Sequence, residues 1–114
     1  MDGHASLFRL HLANGTVERM TSGERVDWFP HLTPSGSHVV YLSYPPGTLG
    51  HPANCDVQIR IMDVSGGGDR VLARFTGGQG SINVASFAPD GSTFAYVAYP
   101  TKASCSERCT AQPA

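Results

Sequence analysis

Two short groupings of histidine, cysteine and aspartate are the residues of this chain best suited to metal chemistry. His51 and Cys55 are spaced H-x3-C and are followed by Asp56, and Cys105 and Cys109 form a C-x3-C pair near the C-terminus. Imidazole, thiolate and carboxylate groups bind zinc, but a structural zinc site needs four fixed ligands. Since one loop supplies three at most, we expect no metal or other cofactor and interpret the His51 loop as a surface feature.

Side chains for covalent or phosphate chemistry form no recognisable pattern. The chain has no G-x-S-x-G nucleophile motif, and neither glycine-rich stretch (66–68 and 77–80) is followed by the Lys-Ser/Thr of a P-loop. The remaining titratable residues are expected in strands as outward-facing or edge residues (His11, His38) and at turns or strand ends (Asp27, Asp56, Asp63, Asp69, Asp90). The sequence therefore favours a protein that is not an enzyme.

Length and composition limit the chain to one small domain. It has 114 residues, a net charge of -1 and 40% hydrophobic residues, which suffices for a core and gives no field that would attract nucleic acid. No apolar run reaches the roughly 18 residues of a membrane span. The N-terminus lacks the basic and apolar segments of a secretory signal, so the chain as written is expected in the cytoplasm. An odd count of three cysteines prevents a full set of intrachain disulfides.

Strand patterns dominate the chain and no segment predicts a helix. Alternating or β-branched segments predict strands, and Asn14-Gly15 is a strong hairpin signal between the first two. The predicted strands cover residues 7–12, 16–21, 28–33, 38–44, 57–62, 70–75, 83–88 and 93–99. The proline-rich stretch 45–56 is expected to be a long loop. We expect residues 1–100 to form the folded domain and residues 101–114 a flexible tail.

An internal repeat organises these strands. Arg9-Leu10 aligns with Arg60-Ile61 at an offset of 51 residues, and residues 32–36 (LTPSG) align with residues 87–91 (FAPDG) at an offset of 55. Each repeat therefore holds four strands in about 50 residues, which is the size of one β-propeller blade. The fold class predicted is all-β, with two blade equivalents.

The repeated tracts resemble a known family. Residues 28–36 (WFPHLTPSG) and 87–97 (FAPDGSTFAYV) are similar to the W-x-P-x-x-S-P-D-G-x-x-I-A-F repeat of the TolB-like, WD40-like β-propellers, named after the periplasmic component of Tol biopolymer transport. The resemblance covers residues 6–99. Ser35 stands where the family has aspartate, and the chain holds two blades where the family has six or more. A fragment or mature form of such a protein would be periplasmic.

The family's strand order implies how the two blades are divided. The strand before the Pro-Asp-Gly turn is innermost in a blade, and the pair joined by Asn14-Gly15 is third and fourth. The chain thus reads as a half blade, a complete blade at about residues 27–76, and a complementary half blade. The open edges of the two halves predict self-association, as a closed trimeric ring of six blades or as an edge-paired dimer.

The candidate binding residues lie where propellers present their loops. Trp28 stands at the entry to an innermost strand, beside His31 and, across the repeat, Asn83, and His51 lies on the long loop. We expect a non-enzymatic propeller-type module that binds itself and another protein or a small ligand through these four residues. The alternative is a fragment of the propeller domain of a larger enzyme, such as a peptidase or a glycan-active hydrolase.

Overall fold

The computed structural model describes residues 4–99, and these form an all-β partial propeller without a helix. The predicted fold class is confirmed. The six strands are β1 (Phe8–Leu10), β2 (Val17–Arg19), β3 (Val26–Leu32), β4 (His38–Tyr44), β5 (Cys55–Asp63) and β6 (Arg70–Gly77). The predicted domain limits, 1–100 and a tail at 101–114, fall partly outside the described residues.

The complete blade is the antiparallel sheet β3-β4-β5-β6. Side chains alternate between its two faces, as the period of a strand requires. Face A carries a buried apolar cluster that includes Val40, Leu42, Val57 and Ile59, and face B carries Val39, Tyr41 and Met62. Because β4 is buried on both faces from residue 39 to residue 44, the blade lies between two other layers.

The N-terminal layer is the two-stranded hairpin β1-β2, which covers part of face B. Leu7, which precedes β1, is buried there against Val39, Tyr41 and Met62. The backbone joins the two layers as well, since the amide of Asp27 donates to the carbonyl of Ala5 at 2.9 Å.

The C-terminal layer is a hairpin, residues 83–99, that packs on face A. The strands predicted at residues 83–88 and 93–99 are reduced to one isolated bridge between Phe87 and Phe94. Both phenylalanines contact the face A cluster, and the ring of Tyr96 lies 4.6 Å from that of Phe75. The hairpin repeats β3 and β4 at offset 55, and no third strand pairs with it among the described residues.

The hydrogen bonds of the structure reproduce the internal repeat. The Phe87–Phe94 bridge matches the pair Leu32–Val39, and the bond from Ala88 N to Thr93 O matches the bond from Thr33 N to His38 O, all at the predicted offset of 55.

The first half of the repeat aligns one residue differently from the sequence alignment. The pairs Phe8–Arg19 and Arg9–Glu18 match Arg60–Val71 and Ile61–Arg70, an offset of 52 and not 51. The two turns differ in length, because the Gly15 amide bonds the carbonyl four residues earlier and the Gly66 amide bonds the carbonyl three residues earlier.

Candidate functional site

A bulge in the innermost strand decides which side chains share a face. Trp28 pairs with Leu42 and His31 pairs with Val40, so three steps along β3 correspond to two steps along β4. Without the bulge, residues three apart would point to opposite faces of the sheet. The extra residue therefore places Trp28 and His31 together on face A.

Phe29 occupies the bulge in a strained conformation. Its φ is +58°, in the left-handed region that bulky side chains rarely adopt. Pro30 follows it and restricts the backbone of Phe29 further. Such strain persists only where surrounding contacts hold it, and it is concentrated at functional sites.

Three rings meet around this bulge, and we call Trp28, Phe29 and His51 the aromatic cluster. The His51 ring stands edge-on to Trp28 at 4.6 Å and to Phe29 at 5.3 Å between centroids. The Trp28 indole N–H donates to the carbonyl of Gly50 at 2.9 Å, which ties the long loop to the strand. All three rings are partly buried, so their accessible faces offer a surface for stacking or cation–π contacts.

The other two predicted site residues lie at the contact between the blade and the C-terminal hairpin. The imidazole Nε2 of His31 bonds the carbonyl of Ile82, which is buried in the face A cluster. Asn83 follows Ile82 and is exposed. The structure thus brings Trp28 to His51 and brings His31 to the residue before Asn83.

A polar cleft on face B was missed by the sequence analysis. Asp27 is the second residue of β3, near a strand end as predicted, but it is only 7% exposed. The hydroxyl of Ser43 donates to Asp27 Oδ1 at 2.6 Å and accepts from the Arg25 guanidinium at 2.8 Å. The three residues line a cavity of about 470 Å³ together with Tyr41, Arg60 and Asp69. The sequence could not reveal this site, because nothing in the alternation of residue types shows which of the aspartates is buried by other parts of the chain.

Burial in the cleft shifts the pKa values of both Asp27 and Arg25 toward their neutral forms. Burial raises the pKa of the Asp27 carboxyl, against the opposing effect of hydrogen bonds from Ser43 and Thr21 and of the nearby Arg25. Burial likewise lowers the pKa of Arg25, aided by the charge of Arg60. In this cleft, burial therefore disfavours the charged forms of both Asp27 and Arg25, and the attraction between the two groups partly offsets that effect.

The residues considered as possible metal ligands do not converge in the described structure. Within residues 4–99, no group of three or more His, Cys, Asp or Glu side chains is placed to hold a metal ion. His51 lies in the aromatic cluster, and Asp56 is exposed. Cys55 opens β5, where the sequence predicted a loop, and it is fully buried and disulfide-bonded. Cys105 and Cys109 lie outside the described residues.

Comparisons with known proteins support the TolB-like resemblance. An uncharacterised protein of Agrobacterium fabrum is 41% identical over 97 residues, which are 85% of this chain and 33% of the relative. The solved structure of a candidate TolB from Agrobacterium tumefaciens superposes with a TM-score of 0.81 at 40% identity, over 87% of this chain and 36% of that protein. No protein-family profile matches the chain. The chain spans about a third of the length of the relatives it matches.

The described part of the chain, residues 4–99, contains no helix with the length and apolar character of a membrane span.

Proposed function

We propose that this chain is a non-enzymatic β-propeller-type interaction module whose first partner is another copy of itself. The similarity to the TolB structure supports the propeller-type module. The observation that carries the self-association is the exposure of apolar side chains in the N-terminal and C-terminal hairpins, including Tyr96 and Val97, whose equivalents are buried in the complete blade.

The two ends leave large apolar side chains in water. Tyr96 and Val97 are 43% and 52% exposed, whereas their equivalents at offset 55, Tyr41 and Leu42, are 2% and 0% exposed. At the N-terminal end, Phe8, Leu10 and Val17 are more than half exposed. Covering apolar surface stabilises an assembly by roughly 25 cal/mol per Å². Two half blades that join would remove on the order of 1,000 Å² from water, which is enough for a specific interface.

The length of the relatives favours a ring of three copies. This chain corresponds to 33% of one relative and 36% of the other. Three copies would therefore supply a similar total length, with two blade equivalents each. A heterologous, head-to-tail contact closes into such a ring if the rotation per copy allows it.

Light scattering on the purified protein at high micromolar concentration tests the self-association. We expect three times the chain mass of 12.1 kDa. A dimer would support edge pairing without closure, and a well-folded monomer would overturn the proposal.

We further propose that Trp28, His31, His51 and Asn83 form the surface that meets a second protein or a small ligand. The strained bulge at Phe29 and the contact between Trp28 and His51 support this assignment. Since Trp28 is the single tryptophan of the chain, its fluorescence reports on this surface directly. A ligand whose binding leaves both the Trp28 emission and the affinity of a His51→Ala variant unchanged would contradict the assignment.

An alternative is that the chain is part of the propeller of a larger, periplasmic enzyme such as a peptidase or a glycan-active hydrolase. Its span of a third of its relatives favours a longer parent protein. The disulfide at Cys55 is compatible with an oxidising compartment. A reading frame that continues into further blades and a hydrolase domain would support this alternative and contradict the independent module.

A further inference from the structure

We infer that residues 93–98 of one copy form a strand that pairs antiparallel with residues 6–11 of the next copy, with Thr93 opposite His11. This inference rests on the proposed self-association and specifies which edges meet and in which register. Its partner is a second copy of this chain.

The register follows from the repeat that the structure contains. Within the complete blade, β4 and β5 pair as His38–Asp63, Val40–Ile61 and Leu42–Ile59. Residues 93–98 are the equivalents of β4 at offset 55, and residues 6–11 are the equivalents of β5 at offset 52. The corresponding pairs between copies are Thr93–His11, Ala95–Arg9 and Val97–Leu7.

Backbone groups at both edges point in the direction that this pairing needs. The amide of His11 donates to the carbonyl of Thr16 across the β1-β2 hairpin, so the alternating ladder turns the N–H of Leu10 away from β2. In the C-terminal hairpin, the amide of Ala88 donates to the carbonyl of Thr93 and the amide of Ala95 donates to the carbonyl of Ser86. Because these bonds join the two arms of the same hairpin, the backbone N–H and C=O of Phe94 between them point outward. The inferred register places Phe94 opposite Leu10, and these two residues then exchange hydrogen bonds.

Apolar side chains also meet in this register. Tyr96 lies opposite Phe8, which is 58% exposed in the single chain. Tyr96 already stacks near Phe75 on face A of its own copy, at 4.6 Å. In the joined blade, β1 of the next copy is an outer strand, and its Phe8 packs beside Tyr96 on face A. Val97 lies on the opposite face, beside the buried Leu7.

Cysteine cross-linking between copies tests the register. In the complete blade, the amide of Val64 donates to the carbonyl of Ser37, so the adjacent pair His38–Asp63 is not hydrogen-bonded. Such pairs bring their Cβ atoms closest and accept a disulfide. The equivalent variants are His11→Cys and Thr93→Cys, with the native cysteines retained.

The two single variants are mixed, oxidised mildly and mapped by mass spectrometry of non-reduced peptides. We expect a link between position 11 of one copy and position 93 of another. The matched control replaces His11→Cys by Leu12→Cys, whose side chain points to the other face. We expect at least about tenfold less linkage in the control, because a slip of one residue turns every side chain to the opposite face.

The outcomes separate this inference from the proposed function. Links of 11 to 11 or of 93 to 93 would show symmetric edge pairing and overturn the register. Equal linkage in the Leu12→Cys control, or no linkage in a protein whose mass shows an assembly, would also overturn it while self-association stands. A monomeric wild-type protein would overturn both.

Discussion

The hydroxyl of Ser43 donates a hydrogen bond to Oδ1 of Asp27, with 2.6 Å between the two oxygens, and holds a nearly buried carboxyl inside the sheet. The Arg25 guanidinium approaches the same hydroxyl from the other side. This contact links β3 to β4 on face B, and burial there raises the pKa of the Asp27 carboxyl.

The Asp27→Asn variant should gain stability relative to the wild type as pH rises. Burial raises the pKa of Asp27 above its ordinary 3.8, so its contribution to folding is fully present below pH 3.8 and is lost as pH rises through the folded pKa. An amide stays neutral and keeps an oxygen for Ser43. Thermal unfolding midpoints measured at about pH 4 and pH 7 check this difference.

The Asp90→Asn variant is the control with the opposite sign. Hydrogen bonds from Ser92 lower the pKa of Asp90, so its stabilising contribution is present above the ordinary 3.8 and is lost as pH falls through the folded pKa. We expect this variant to lose stability relative to the wild type as pH rises. The same trend in both variants would contradict the assignment of a buried, penalised charge to Asp27.

A Leu10→Pro variant should dissociate the assembly and leave the complete blade folded. Proline removes the outward-pointing N–H of Leu10, while the blade keeps its own four strands. Light scattering measures the mass, and circular dichroism measures the retained β-structure. Leu10→Ala is the matched control, because it shortens the side chain and keeps the amide, and we expect it to keep more of the assembly. Equal dissociation by both variants would assign the effect to the lost side chain.

At Phe29, glycine should be tolerated better than alanine. Both substitutions remove the ring from the aromatic cluster, but only glycine adopts the observed φ of +58° without strain. We expect Phe29→Gly to be more stable than Phe29→Ala by about 1 kcal/mol, which reverses the usual order in a strand. Urea unfolding of the two variants measures the difference. An alanine variant that is the more stable of the two would show that the bulge is not strained.

The Gly78→Ala substitution should destabilise the domain through a steric clash. A Cβ atom at Gly78 would meet the Pro52 carbonyl and lie 2.6 Å from the Cα atom of Ala53, both of which are backbone atoms of the long loop. We expect a loss of about 1–3 kcal/mol. Gly23→Ala is the control, because a Cβ there has no atom within 4 Å. Similar unfolding midpoints for the two variants would contradict the close approach.

Local rules were enough to predict the first six strands of this protein and the hairpin turn between the first two. The alternation in residues 57–62 and the Asn14-Gly15 turn are read from near neighbours, and both were found where expected. The repeat at offset 55 was equally visible, since turn residues must recur wherever the same backbone turn recurs.

Tertiary structure alone decided which face each side chain occupies and how deeply it is buried. One extra residue at Phe29 moves His31 to the face of Trp28, and the N-terminal layer encloses Asp27. The C-terminal residues 83–99 carry the same pattern as β3 and β4 and yet form a single bridge. The physical reason is that periodicity is local, whereas burial and strand pairing depend on neighbouring strands, and residues 83–99 have no further strand beside them among the described residues.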